Sequence, residues 1–266
     1  MIARATDDNA FVLLTGVPWD VYRRFTDALG DYRLRHFYDR GRFELRSEIL
    51  GVDWESYQAM LRALGDFHLR HIYDQGYLLL MSPLQSHDWV KRLISRFLET
   101  MSFDLQIPIK SIGSTTITST ETERGFEADE AYYVTSEPKV RGKLEFEPDV
   151  DPPPDLILEV DVSSSSIDQL ALYAAMGVAE VWIHDGETLQ FLVRSRRGKY
   201  DPAERSRAFP FLAPSDFEKF LERHSEMNET SLTRKFVVWA RRKHGQWQLE
   251  ESKAPKTKQP RKGRKK

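Results

Sequence analysis

Between Pro152 and Asp185 the chain reads PPPDLILEVDVSSSSIDQLALYAAMGVAEVWIHD, and the run Leu156, Ile157, Leu158, Val160, Val162 has the hydrophobicity of a central β-strand. Glu159 and Asp161 interrupt that strand. An unpaired carboxylate is expensive to bury, so a strand of this kind demands a cation or a metal ion beside it. Alternation gives Asp155, Glu159 and Asp161 the same parity and therefore one face. A helix over Ile167 to Met176, closed by Gly177, and a second strand, VAEVWIHD, follow.

Several classes of protein are excluded by what surrounds this segment. The chain has no cysteine, so neither disulfides nor thiolate metal sites are available. No apolar stretch approaches membrane-spanning length, and the first residues, MIARATDDNAFVLLTG, lack the basic start and apolar core of a signal peptide; a soluble cytoplasmic protein is expected. The formal charge of -2 conceals an asymmetry: eight of the 39 basic residues lie between Lys253 and Lys266. Without them 31 basic residues face 41 acidic ones, which is not the field of a generic nucleic-acid binder. The tail reads as disordered, either solubilising or a phosphate contact.

A tandem duplication stands at an offset of 35, GVPWDVYRRFTDALGDYRLRHFYDRGRFELRS from Gly16 against GVDWESYQAMLRALGDFHLRHIYDQGYLLLMS from Gly51. Each copy predicts a helix followed by two strands; in the second, Trp54, Tyr57, Leu61 and Leu64 mark the helix, Gly65 ends it, and Asp74-Gln75-Gly76 turns the hairpin. His36 and His71 recur with the duplication, which accounts for them before function does. Beyond it, Pro83 to Met101 predicts a helix with Val90, Leu93, Ile94, Phe97, Leu98 and Met101 on one face. Strands are expected in LQIPIKSIGSTTITST and ADEAYYV, a polar turn at Glu123 to Gly125, and a long loop over TSEPKVRGKLEFEPDVDPPP. Ser215 and Glu218 form a capping-box pattern, and a last helix, Leu232 to Lys243, is expected to end at Gly245.

Asp129 opens the apolar AYYV stretch, and a strand neighbouring Leu156–Val160 would bring it beside Glu159. Two such acids suit a hard divalent cation, Mg²⁺ or Mn²⁺, completed by waters and a phosphate. The segments SPLQSH (Ser82–His87), IGSTT (Ile112–Thr116), GFEADEAYYV (Gly125–Val134), PPPDLILEVDVSSSS and YAAMGVAEVW (Tyr173–Trp182) together resemble the Uma-type restriction endonuclease family of the PD-(D/E)XK nuclease superfamily. The resemblance runs from about Val52 to Lys243. It implies an α/β fold, a restriction-endonuclease-like core whose central mixed sheet is flanked by helices, here with the duplicated helix-hairpin module in front. The expected domains are 1–50 (first copy), 51–246 (nuclease domain) and 247–266 (basic tail).

The resemblance also assigns roles. Asp129 matches the first acid of the motif and Glu159 the second, as metal ligands, which makes the Pro154-Asp155 pair a decoy. Where the motif carries lysine this chain has Asp161, and the helix position to which that lysine migrates in the family is Gln169; both are candidate water-positioning residues. A family glutamate on the early hairpin corresponds to Leu79, although Glu44 stands at that place in the first copy. His87, Lys91 and Ser164 are candidate substrate contacts, set against bland readings as a first-turn histidine, a solvated helix face and a turn or N-cap. A Mg²⁺-dependent DNA endonuclease is implied, weakened by the missing lysine, with a homodimer among the expectations because enzymes of this fold often dimerise; the alternative is a catalytically silent module that binds nucleic acid or protein.

Overall fold

The computed structural model of the chain describes residues 4–5, 11–15, 17–30, 36–39, 42–46, 48–65, 69–81, 85–113, 115–160 and 168–253. Its N-terminal part holds β1 (Arg4–Ala5), β2 (Phe11–Thr15), α1 (Trp19–Ala28), β3 (His36–Asp39) and β4 (Arg42–Arg46), whose strands form an antiparallel sheet in the order β1-β2-β4-β3. Next come β5 (Glu48–Leu50), α2 (Trp54–Leu64), β6 (Arg70–Asp74) and β7 (Tyr77–Met81). The α2 helix starts where Asp53 accepts a hydrogen bond from Ser56 N (2.7 Å) and stops at Gly65, whose φ of 54° no β-carbon residue adopts cheaply. The β6–β7 hairpin turns through Gln75 and Gly76, at φ 45° and 100°. The helices α1 and α2 pack together, and Val12, Val21 and Phe25 share one apolar cluster with Tyr57, Met60 and Tyr73.

The chain continues through α3 (Gln85–Leu105), β8 (Lys110–Ser111), β9 (Thr116–Ser119), β10 (Arg124–Glu127), β11 (Glu130–Tyr133), α4 (Glu137–Val140), β12 (Leu156–Val160), α5 (Gln169–Ala175), β13 (Glu180–His184), β14 (Leu189–Arg194), β15 (Tyr200–Pro202), α6 (Pro214–Leu221) and α7 (Glu229–Lys253). A second antiparallel sheet has the order β5-β7-β6-β10-β9. The third, β15-β14-β13-β12-β11-β8, is mixed: β12 and β13 run parallel and the remaining pairs antiparallel. The mixed sheet expected around the acidic strand is therefore present, with β12 inside it and every β12 residue buried. Leu156, Leu158 and Val160 face α3 and α7, where Phe97 and Phe236 stack at 4.5 Å. Ile157 faces the opposite way, into a cluster that joins Ile72 of β6, Phe126 of β10 and Tyr173 of α5. Glu159 has the parity of Ile157, so it points into the space between the second sheet and α5.

Four sequence expectations differ from the structure. Gly125 is not in a turn but in β10, opposite Tyr73, and its missing side chain makes room for the buried Tyr57 ring: an added Cβ would stand 2.9 Å from Cζ. The long loop before β12 contains the short helix α4, whose Glu137 is held by Arg141 Nε at 2.9 Å. The α6 helix begins at Pro214, favoured as a first helical residue, and Asp216 rather than Glu218 caps it by accepting from Ala213 N at 2.8 Å; Glu218 accepts from Leu189 N instead. Gly245 does not end α7, which runs to Lys253. Glycine inside a helix costs about 1 kcal/mol, and the rings of His244 and Trp247 offset it by packing on Phe211 on either side of the gap. The expected tail thus contributes helix through residue 253, and residues 254–266 lie outside the described part.

Candidate active site

The chain passes from the second sheet to the third between Glu127, the last residue of β10, and Glu130, the first of β11. Asp129 sits at that crossing. The antiparallel register Glu130↔Leu158 continues so that Asp129 comes beside Glu159, and Val160 N donates to Asp129 Oδ2 at 2.8 Å. From the second sheet, Arg70 at the start of β6 reaches both acids. Its Nη1 donates to Asp129 Oδ1 at 2.8 Å and its Nη2 donates to Glu159 Oε2. The remaining Glu159 oxygen, Oε1, accepts from the Tyr173 hydroxyl at 2.6 Å. Each of the four carboxylate oxygens therefore accepts at least one hydrogen bond, the Asp129 backbone N–H adds a further one to Glu159, and one guanidinium fork bridges an acid of the β10–β11 crossing and an acid of β12.

Burial sets the electrostatics. Glu159 is 1 % exposed, and burial pushes it up to about 7 against the pull of Arg70, with Asp129 adding to the rise. Burial also opposes the Arg70 charge, but Glu159 and then Asp129 outweigh it and raise its pKa above the ordinary guanidinium value. Tyr173 is raised well above the usual phenol range, by burial first and by Glu159 second, so it donates as a neutral hydroxyl. Glu127, facing the same region, is pushed up to about 7 by burial while Arg70 and Lys91 pull it down. Glu130 is likewise raised by burial and lowered by Lys91.

Beside these acids His71 is fully buried, and its tautomer is fixed by its neighbours. Nδ1 stands 2.8 Å from the Leu69 carbonyl, which only accepts, so Nδ1 carries the proton and Nε2 accepts from the Tyr57 hydroxyl at 3.0 Å. Burial lowers its pKa from 6.5 to about 4, although the Leu69 bond favours the charged form. The unfolded chain therefore takes up this proton at higher pH than the folded one, and the stability tied to neutral His71 is lost as pH falls from 6.5 through 4, by about 3 kcal/mol in all. Glu127 works the other way, because its raised pKa adds stability as pH falls below about 7. The two offset each other in the parent protein. The unfolding free energy of the parent relative to His71→Leu, measured in urea, is expected to shrink by about 3 kcal/mol between pH 7 and pH 4; parallel pH curves would refute it.

The other sequence candidates are placed as follows. Gln169 is buried at the first residue of α5, four residues and about one turn before Tyr173, so the two share a helix face. Lys91 is half-buried on α3 with its charge acting on Glu127 and Glu130, which turns it toward the acids and not only to solvent. Asp161, Ser164 and the side chain of His87 lie outside the described residues. Asp155 accepts from Val134 N (2.8 Å), Ser136 N (2.7 Å) and Ser136 Oγ (3.1 Å), which pins a loop and not a ligand. Leu79 is buried among apolar neighbours. Sequence reasoning missed Arg70. Its signal was a cation inside a predicted strand, LRHIYD, which requires a buried acid as surely as the acids required a cation.

Comparisons with known proteins identify the chain. A family model named Uma2 and described as a putative restriction endonuclease matches residues 54–222. The chain belongs to the Uma2 family. The matched span begins at α2 and ends just after α6, so it contains Arg70, Asp129, Glu159 and Tyr173. Among solved structures, a protein of Anabaena variabilis described as a putative nuclease aligns with a TM-score of 0.42 and 12% identity, over 56% of this Uma2 chain and 89% of its own. No curated protein matches. Among the described residues of the Uma2 chain, no helix is long and apolar enough to cross a membrane, and no group of three or more His, Asp or Glu side chains is arranged to hold a metal ion.

Proposed function

We propose that this Uma2-family protein is a divalent-metal-dependent endonuclease acting on DNA phosphodiesters, with Asp129 and Glu159 as its metal ligands. One observation carries the reading: two carboxylates, Asp129 from the β10–β11 crossing and Glu159 from β12, converge on one cation, the Arg70 guanidinium. The donor set fits Mg²⁺ or Mn²⁺, since Mg²⁺ is held by one or two carboxylates with waters and substrate phosphates supplying the rest, and no third protein acid is then required. Such an ion supplies Lewis-acid activation of water and neutralises the leaving oxygen of the phosphodiester.

The residues prepare that position. Tyr173 fixes the Glu159 carboxylate through Oε1, and Val160 N fixes Asp129 through Oδ2, so neither acid spends rotamer entropy on finding the other. Gln169, one turn from Tyr173, and Asp161 are read as orienting water where the motif's lysine is missing; His87, Lys91 and Ser164 are read as phosphate contacts. Residues 1–50 are read as support, because α1 and β2 share their core with α2. A silent nucleic-acid-binding module is the second reading, favoured by the same Arg70 bridge, which already satisfies both acids.

Relaxation of supercoiled plasmid separates the two. Nicking is expected in Mg²⁺ or Mn²⁺ and not in excess chelator, at a rate reduced by about 10²-fold from a lysine-bearing site. Binding of plasmid with no nicking in any metal would overturn the nuclease reading in favour of the silent module.

A further inference from the structure

We infer that Arg70 and the divalent cation compete for the same two carboxylates, so that the arginine is a built-in occupant of the metal position and metal binds only when it withdraws. The inference rests on the metal-site reading of Asp129 and Glu159. Its ground is the way the bonds are distributed. Arg70 takes one oxygen of each acid, and the other two oxygens are held by a backbone amide and by a buried, neutral tyrosine. A divalent ion would draw on the same two carboxylates, and Arg70 already occupies an oxygen of each. A dication there would also lie against a guanidinium in a buried setting, where like charges repel far more strongly than in water.

Arg70 is built to leave. Its side chain is 21% exposed, against 1% for Glu159, so the arginine has a way to solvent and the glutamate has none. Among the described residues its buried Nε has no hydrogen-bond acceptor, so the hydrogen bonds that hold the guanidinium are the two to the acids, with the charge of Glu127 adding to their pull. It is also attached to β6, in a different sheet from Glu159 on β12, so withdrawal leaves the acids' own strand pairing intact. In the closed state it spares the protein a pair of buried, unpaired carboxylates, whose cost would otherwise fall on the metal-free fold. The consequence is a reduced apparent metal affinity, by the fraction of molecules whose Arg70 is withdrawn.

The test is Mn²⁺ binding, by calorimetry and by electron paramagnetic resonance of the free ion, to the full chain carrying Arg70, Arg70→Lys or Arg70→Gln, with circular dichroism reporting the fold. Binding is expected to tighten by about tenfold or more in Arg70→Gln, and less in Arg70→Lys, whose single ammonium cannot fork across both acids. Adding Asp129→Asn to Arg70→Gln should abolish the gain. Should Arg70→Gln fold only with Mn²⁺ present, that rescue supports competition, and the affinity comparison is then made with Arg70→Lys. Equal affinity in all folded proteins would overturn the competition and leave the metal site standing. A gain that survives Asp129→Asn would overturn it too, since the ion would then lie elsewhere. Absence of binding in any folded variant would overturn both the competition and the metal reading beneath it.

Discussion

Glu159→Gln is expected to lower metal-dependent plasmid nicking by about 10²-fold or more, because it removes one of the two carboxylate charges at the proposed metal position while keeping the size of the side chain. The Tyr173 hydroxyl donates to Oε1 in the parent, and the glutamine carbonyl accepts the same bond, so the local position of the side chain is retained. What is lost is the negative charge and the oxygen on Arg70. If Asp129 and Glu159 hold one ion, Asp129→Asn should be nearly as damaging, and the double variant little worse than either single one, since residues that act as a unit are strongly non-additive. Rates are compared as single-turnover nicking at saturating Mn²⁺, with circular dichroism confirming the fold. Equal nicking by Glu159→Gln and its parent would remove Glu159 from the chemistry.

Arg70→Gln carries the largest expected effect on stability. Taking the cation from the fully buried Glu159 and the half-buried Asp129 leaves uncompensated charge, and breaking a buried pair of this kind costs about 3–5 kcal/mol. Denaturant unfolding in chelator, at neutral pH, should show that loss. The partners are coupled, so adding Glu159→Gln to Arg70→Gln should cost less than the two separate losses together, with an interaction energy of about 0.5–3 kcal/mol. A loss under about 1 kcal/mol for Arg70→Gln alone would place the bridge among ordinary exposed ion pairs.

The parts of this protein legible in its sequence are those written in short-range pattern. The continuous apolar run marked β12, and three-four spacing marked α2 and the buried face of α3. Gln75-Gly76 marked a hairpin, because only a few residue types accept positive φ there. Parity placed Glu159 away from Leu158 and Val160, as the structure has it. The partners of Glu159 were not legible in that way. Arg70 meets Glu159 across 89 residues and meets Asp129 across 59, separations at which no periodicity speaks. Asp129 was reached as the acid at the head of the AYYV stretch, with family resemblance assigning its role, whereas Arg70 was overlooked because only its charge, and no pattern, distinguished it. Glycines misled in both directions. Gly125 reads as a turn but clears space for the Tyr57 ring, and Gly245 reads as a helix end but is bridged by aromatic packing on Phe211.

The bridge also has a mechanical side. Because Arg70 rides on β6 and Glu159 on β12, their bond is a rivet between two sheets that the backbone joins at Asp129. It is a polar tie beside an apolar one, since Ile72 and Leu79 of the second sheet pack with Ile157 and Val181 of the third. The apolar cluster of α1, α2 and β6 lies behind the sheet that carries Arg70, so the N-terminal residues and one end of the bridge share a packed layer. The duplicated sequence, which by itself looked like mere repetition, thus supplies side chains to the backing of the sheet on which that rivet is fixed.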